Sequence, residues 1–341
     1  MPAFVHERRG VLIRCGHAQA DVGLVDVYNG RRMRAVGITA PGGPEVLSVI
    51  DRPVREPGPD EVRIAVKAAA VNPTDIGLRT AGGGDLPAPW TPGMDAAGTI
   101  ESIGVGVERL RVGEEVMAAV TPRRPEGGAQ IELLVVPQAS VVAIPDGVTL
   151  QQAATLPMNG LTAKLGLELL GLGPGQTLGV TGGAGLLASY VIALAKELGV
   201  RVIADAKPED EALVRSFGAD VVVPRGERFV AAVREAAPDG VDGLYDTALL
   251  HESVFGAIRD RGVMVVVRGW KPEHAERGIE VKPVFVGTVL DRTDWLEELR
   301  QPASDGRLQL RVAGEYPPEQ AAEAQRIMEA GGVRGRALIV F

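Results

Sequence analysis

A single cysteine, Cys15, stands in the 341 residues of the chain. It allows no intrachain disulfide and no set of thiolates for a metal, which fits a reducing compartment and makes the cytoplasm the expected location. Long apolar runs are missing as well. None approaches the ~20 residues of a membrane span, and Arg8, Arg9, Arg14, His17 and Asp21 interrupt the apolar core that a secretory leader needs. There is no excess of positive charge: a net charge of −8, without a stripe of Lys and Arg, argues against nucleic acid as a partner. Histidines with an acid–base setting are also wanting. His6 and His17 lie near the start, His251 opens an expected helix and His274 sits in a polar loop. The expected partner is a small molecule, not a nucleic acid or a membrane.

Glycine is abundant, with 44 residues, and one group of them has a telling context. Thr177 to Val180 read as a short apolar strand, Gly182-Gly183-Ala184-Gly185-Leu186-Leu187-Ala188 as a turn, Ser189 to Leu198 as an apolar-faced helix, and Val200 to Ala204 as a second strand. Gly183, Gly185 and Ala188 meet the spacing G-x-G-x-x-G/A. The first position permits a tight turn, the second lets a pyrophosphate approach the backbone, and the small third residue lets helix and strand pack closely. N–H groups at the helix start, near Leu186, are then free for phosphate oxygens. The alternative is a turn that is merely glycine-rich; the strand before it and the helix after it favour half of a dinucleotide site.

Residues 1–32 connect to no later pattern and are expected to be a peripheral extension, with the folded protein proper beginning at Met33. From Met33 to about Ile144, short apolar runs are punctuated by glycine and proline. Val46–Val49, Glu61–Val66, Ala97–Ile103, Glu115–Val120 and Leu133–Val136 are the clearest strands, and little has helical period, so a β-rich, partly open barrel is expected. Helical patterns begin at Gln151 and Leu161, after Thr149 as a cap. Strands and helices then alternate through 177–267, with a further strand at Val281–Val289, which implies a doubly wound parallel sheet. Beyond it, a helix at Trp295–Leu299, a strand at Leu308–Val312, a helix at Pro318–Glu329 and a last strand from Arg336 return the chain to the first domain.

Ordered motifs carry a resemblance: Val71-Asn72-Pro73-Thr74-Asp75, Pro92-Gly93-Met94-Asp95-Ala96-Ala97-Gly98, Val112-Gly113-Glu114-Glu115-Val116, Gly160-Leu161-Thr162-Ala163, the glycine turn, Gly218-Ala219-Asp220 and Val333-Arg334-Gly335-Arg336. From Met33 to Phe341 the chain resembles the zinc-free medium-chain dehydrogenase/reductases, in particular the NADPH:quinone oxidoreductase (zeta-crystallin-like) branch. The resemblance implies a groES-like catalytic domain over 33–153, completed by 290–341, and a Rossmann NAD(P)-binding domain over 154–289, with a nicotinamide cofactor between them and homodimers paired around Val281–Val289. Zinc-dependent relatives need a Cys in the first motif and a His-Glu pair in the second. Asn72 and Met94-Asp95 stand there instead, which excludes zinc catalysis on ligand chemistry. Without a metal to polarise an alcohol, reduction of an electrophilic quinone or α,β-unsaturated carbonyl is favoured. An enoyl-thioester reductase and a non-catalytic NAD(P)-binding protein are the alternatives.

By the same resemblance Asn72 contacts the nicotinamide ribose and substrate as the catalytic residue, and Thr162 approaches the cofactor from the interdomain helix. Thr247 and Val267-Arg268-Gly269 lie where strand ends face the nicotinamide, which is also where ligands bind such a sheet on physical grounds. The backbone of Gly182, Gly183, Ala184, Gly185, Leu186 and Leu187 takes the pyrophosphate, although Leu186 is expected to crowd it. The family's active-site Tyr is absent from Ile76-Gly77-Leu78. Cofactor choice is mixed: Asp205, about 20 residues past Gly185, favours a ribose 2'-OH and hence NADH, while Lys207 and Arg225 suit a 2'-phosphate. NADPH is favoured, with NADH the runner-up. Trp90 and Trp270 are read either as bounding the acceptor cleft or as packing a loop.

Overall fold

The computed structural model describes residues 28–274 and 276–341, so the readings placed on His6, Cys15 and His17 lie outside the described residues. The described residues open with an antiparallel pair, β1 (Tyr28–Ile38) and β2 (Leu47–Arg55). The first strand thus takes in residues upstream of Met33. Then come β3 (Glu61–Ala70), α1 (Pro73–Ala81), β4 (Asp95–Ile103), β5 (Glu115–Ala119), β6 (Leu133–Pro137) and β7 (Val141–Ala143). The expected strands are present, most of them lengthened, with β5 ending one residue short at Ala119 and Val46 left in a turn before β2, but α1 was not expected. It is short and contains Gly77, so its helical period is faint, and it is fixed by its ends. Pro73 pre-sets its first turn, the Asp75 carboxylate accepts the Asn72 N–H at 2.8 Å, and Gly82 at φ +80° ends it.

Two helices, α2 (Leu150–Ala153) and α3 (Pro157–Leu170), cross into the second domain. There β8 (Thr177–Thr181), α4 (Leu186–Glu197), β9 (Arg201–Ala206), α5 (Glu211–Ser216), β10 (Val221–Pro224), α6 (Phe229–Ala236), β11 (Val241–Asp246), β12 (Ile258–Val266) and β13 (Glu280–Pro283) follow. The six strands form one parallel sheet in the order β10-β9-β8-β11-β12-β13. This is the Rossmann order, and it reverses direction beside β8, the strand that feeds the glycine turn. The helix expected at 251–259 is instead a 3-10 turn over His251–Ala257, and the strand expected over Val281–Val289 ends at Pro283.

The last segment comprises α7 (Thr293–Ser304), β14 (Val312–Tyr316), α8 (Ala321–Ala330) and β15 (Arg336–Val340). The strand expected at Leu308–Val312 lies further on, at Val312–Tyr316, and Leu308 is buried in the core ahead of it. β15 inserts between β14 and β3 in a seven-stranded sheet, pairing Leu338 with Ala70 and Val340 with Ala68. The return of the C-terminus to the first domain is thus literal. One apolar core runs across both domains, joining Ala68, Ala97 and Met117 to Leu161, Tyr190, Val191 and Tyr245. Hence α4, expected to show one apolar face, is buried nearly all round.

Candidate functional site: a cleft between two domains

At the tip of β8, Gly182 adopts φ +69° and its carbonyl accepts the Gly185 N–H at 2.8 Å, closing the turn. A Cβ on Gly183 would run into the Asp205 carbonyl oxygen, so only glycine fits there. Helix α4 starts at Gly185, which supplies no side-chain cap. Its first-turn N–H groups therefore have no acceptor from the cap residue, as a phosphate cradle needs. Leu186, expected to crowd a pyrophosphate, is only 1% exposed and belongs to the core. Its side chain points away from the turn because the core claims it. The residues present thus fit a dinucleotide.

The turn is also held from the other domain. Arg311, just before β14, donates to the carbonyls of Ala184 at 3.1 Å and Gly185 at 3.0 Å and to the Ser189 hydroxyl at 3.1 Å, with its guanidinium 4.6 Å over the Phe217 ring. Burial lowers its pKa to about 10. Arg334 grips Asp210 with two nitrogens, at 2.8 and 2.5 Å. Neither contact was legible in the sequence, since each joins residues over 100 positions apart: Arg311 stands in no motif, and the motif that holds Arg334 does not name its partner.

Asp205, expected to bind a ribose hydroxyl, is 1% exposed. One carboxylate oxygen accepts the Gly183 N–H at 2.9 Å, while the other is buried without a partner; burial raises its pKa. The carboxylate supports the turn from beneath and does not reach the cleft surface. Lys207 and Arg225 are exposed, and the Arg225 N–H donates to the Ala206 carbonyl at 3.1 Å, which brings the two cations to the same end of the sheet.

At the other end, Asn72, expected against the ribose and substrate, is fully buried. Its Nδ2 donates to Asp95 Oδ1 at 2.8 Å and its Oδ1 accepts from Arg336 at 2.9 Å. Arg336 also donates to Asn159 Oδ1 at 2.7 Å, and the Met158 N–H donates to the second oxygen of Asp95 at 3.1 Å. These residues form a buried polar junction between the domains. Burial drives Asp95 up to about 7 and Asp75 up to about 6, against the opposing hydrogen bonds and the positive charge of Arg336. Sequence reasoning singled out Asn72 alone, although Asp95 and Arg336 lay in quoted motifs.

Thr162 is buried as well, its hydroxyl donating to the Met158 carbonyl at 2.6 Å while Tyr245 donates to its own carbonyl at 2.7 Å. The Thr247 hydroxyl donates to the Thr181 carbonyl at 2.6 Å. Val267, Arg268 and Gly269 follow β12 at the same sheet edge. Trp90 donates to the Leu86 carbonyl at 2.8 Å, and Trp270 stacks on His251 with ring centroids 4.4 Å apart. Trp90 is thus engaged by its own loop and Trp270 by the loop that follows β11.

A catalytic zinc does not fit. Met94 accepts the Thr74 hydroxyl at 3.2 Å through its sulfur, both polar atoms of the Asn72 amide are committed, and among the described residues no group of three or more His, Cys, Asp or Glu is placed to hold a metal.

Comparison with known proteins agrees with this architecture. Residues 58–146 match the alcohol dehydrogenase GroES-like domain and residues 217–339 match the zinc-binding dehydrogenase family model. The chain is 30% identical to the NADPH-dependent alkenal/one oxidoreductase of Arabidopsis thaliana, over 91% of this chain and 80% of that protein. It is 36% identical to the quinone oxidoreductase of Pseudomonas aeruginosa over 54% of this chain and 57% of that one. A mycobacterial protein solved in complex with NADPH superposes with a TM-score of 0.81 at 28% identity, covering 91% of this chain and all of that one, 100%. With the fold, the turn and the motif order in agreement, the chain belongs to the medium-chain dehydrogenase/reductase family, in the branch that holds the NADPH:quinone oxidoreductases.

Proposed function

We propose that the protein is a zinc-independent, NADPH-dependent oxidoreductase that transfers hydride to a quinone or an α,β-unsaturated carbonyl. The observation that carries this reading is the uncapped start of α4 at Gly185, set at the sheet's reversal point and held by Arg311 from the other domain. When bound, the dinucleotide supplies the hydride. The chain's own part is to hold and orient the reactants and keep water out. The backbone from Gly182 to Leu187 receives the phosphates, and Thr162, Thr247 and Val267 to Gly269 flank the nicotinamide. Asn72 contributes by aligning the catalytic domain through Asp95 and Arg336. Lys207 and Arg225 select the 2'-phosphate, a choice favoured by the withdrawal of the Asp205 carboxylate beneath the turn.

The same reading takes residues 33–153 with 290–341 as the catalytic domain and 154–289 as the cofactor domain. It assigns a cytoplasmic site of action, in keeping with the single cysteine; among the described residues no helix is long and apolar enough to cross a membrane. A homodimer is supported by the edge position of β13 and by Phe285 just beyond it, 55% exposed. The test is loss of reduced-nicotinamide absorbance with NADPH or NADH and a panel of quinones and enones. Acceptor-dependent oxidation faster with NADPH is expected. Cofactor binding without oxidation of any acceptor overturns the catalytic reading.

A further inference from the structure

The polar groups at the carboxyl ends of β11 and β12 are almost all satisfied by the chain itself. Asp246 accepts the Thr181 hydroxyl at 2.7 Å, the Ala248 N–H at 3.2 Å and the His251 N–H at 2.8 Å. Arg268 is the exception. It is exposed, and among the described residues it makes no hydrogen bond or ion pair. Its neighbours nevertheless withdraw water from it, lowering its pKa with nothing opposing that shift. Its charge also reaches the domain junction, where it works against the positive charge of buried Arg336.

The backbone holds this cation in place at some cost. Arg268 has φ +62°, and Leu249 and His251, on the adjoining loop, have φ +59° and +54°. Left-handed backbone in residues other than glycine is strained, and such strain gathers at ligand sites. The parallel stack of His251 on Trp270, with ring planes 5° apart, fastens the two loops to each other. Arg268 is thus presented by a braced loop.

A dinucleotide brings its own anions, but they belong to the glycine turn and the Lys207–Arg225 end. The reduced nicotinamide ring is neutral, so it offers no counter-charge at the other end. Building on the reductase reading above, we propose that Arg268 recognises an anionic substituent on the acceptor, which is an α,β-unsaturated carbonyl compound carrying a carboxylate. A guanidinium meets a carboxylate through two parallel N–H bonds, and a single such charge-assisted contact is worth about tenfold or more in affinity.

The test compares 4-oxo-2-pentenoate with its methyl ester, a pair with one skeleton and different charge. With NADPH, the wild-type protein is expected to favour the acid by about tenfold or more in kcat/KM. The ester is the intrinsically more electrophilic of the two, so Arg268→Met should lower the acid-to-ester ratio by about tenfold or more, and Arg268→Lys should keep part of it. Because the readout is a ratio, a general loss of activity in a variant cancels. An unchanged acid-to-ester ratio in Arg268→Met overturns the proposal. A second measurement needs no turnover: calorimetric binding of 4-oxopentanoate and its methyl ester to the NADPH-saturated protein. Tighter binding of the acid, weakened by salt and lost in Arg268→Met, is expected; equal binding overturns the proposal. Should neither pentenoate be reduced, the reductase reading fails for these enones while the binding arm still decides the role of Arg268.

Discussion

Asp95 illustrates how much one buried group sets. An acid whose folded-state pKa lies above its unfolded value keeps a proton in the folded state that the unfolded chain has already released. Folding then gains at low pH, and the gain is lost as pH rises from ~4, the unfolded Asp value, toward the folded one. Asp75 at about 6 and Asp95 at about 7 place that window between roughly pH 4 and pH 7. The melting temperature is therefore expected to fall between about pH 4 and pH 7. Asp95→Asn should be less stable throughout, because the Asn72 amide and the Met158 N–H both need an acceptor there, yet show a flatter pH profile. Parallel profiles for the two proteins would contradict the assignment. Part of this site was legible beforehand. The motifs holding Asn72, Asp95 and Arg336 stood out in the sequence, but their convergence did not, because burial and mutual hydrogen bonding depend on a pairing of strands far apart in the chain.

Among elements, the glycine turn and α4 were the most legible, since a strand, a turn with positional glycines and a helix follow one another without interruption. Helix α1 was the least legible: its stability comes from its caps and from packing, not from an apolar stripe. The clamp of Arg311 on the turn was also hidden, and it has a measurable effect. By tying down the carbonyls of Ala184 and Gly185 it fixes the peptide planes whose N–H groups face the opposite way. Arg311→Met is expected to weaken NADPH binding by about tenfold, the worth of roughly one such charged contact, and to speed amide exchange over 183–189. Unaltered exchange there, by mass spectrometry, would show that the turn holds its shape unaided.

For the molecule as a whole, the shared core and the junction at Arg336 make the two domains a single cooperative unit. One calorimetric transition is expected, and Arg336→Met should lower stability by about 3 kcal/mol or more through two lost charge-assisted bonds; two separate transitions in the unaltered protein would refute the coupling. The position of β15 has a further meaning during synthesis. The strand that fills the edge of β3, β15, is synthesised after every strand of the Rossmann sheet. Until it emerges, the β3 edge has no partner there, and Arg311, Arg334 and Arg336 have not all arrived at the cleft. A nascent chain can finish its Rossmann sheet before β15 has emerged, but the cleft closes only once β15 has paired with β3, so until then the chain has a cofactor domain and an open seam.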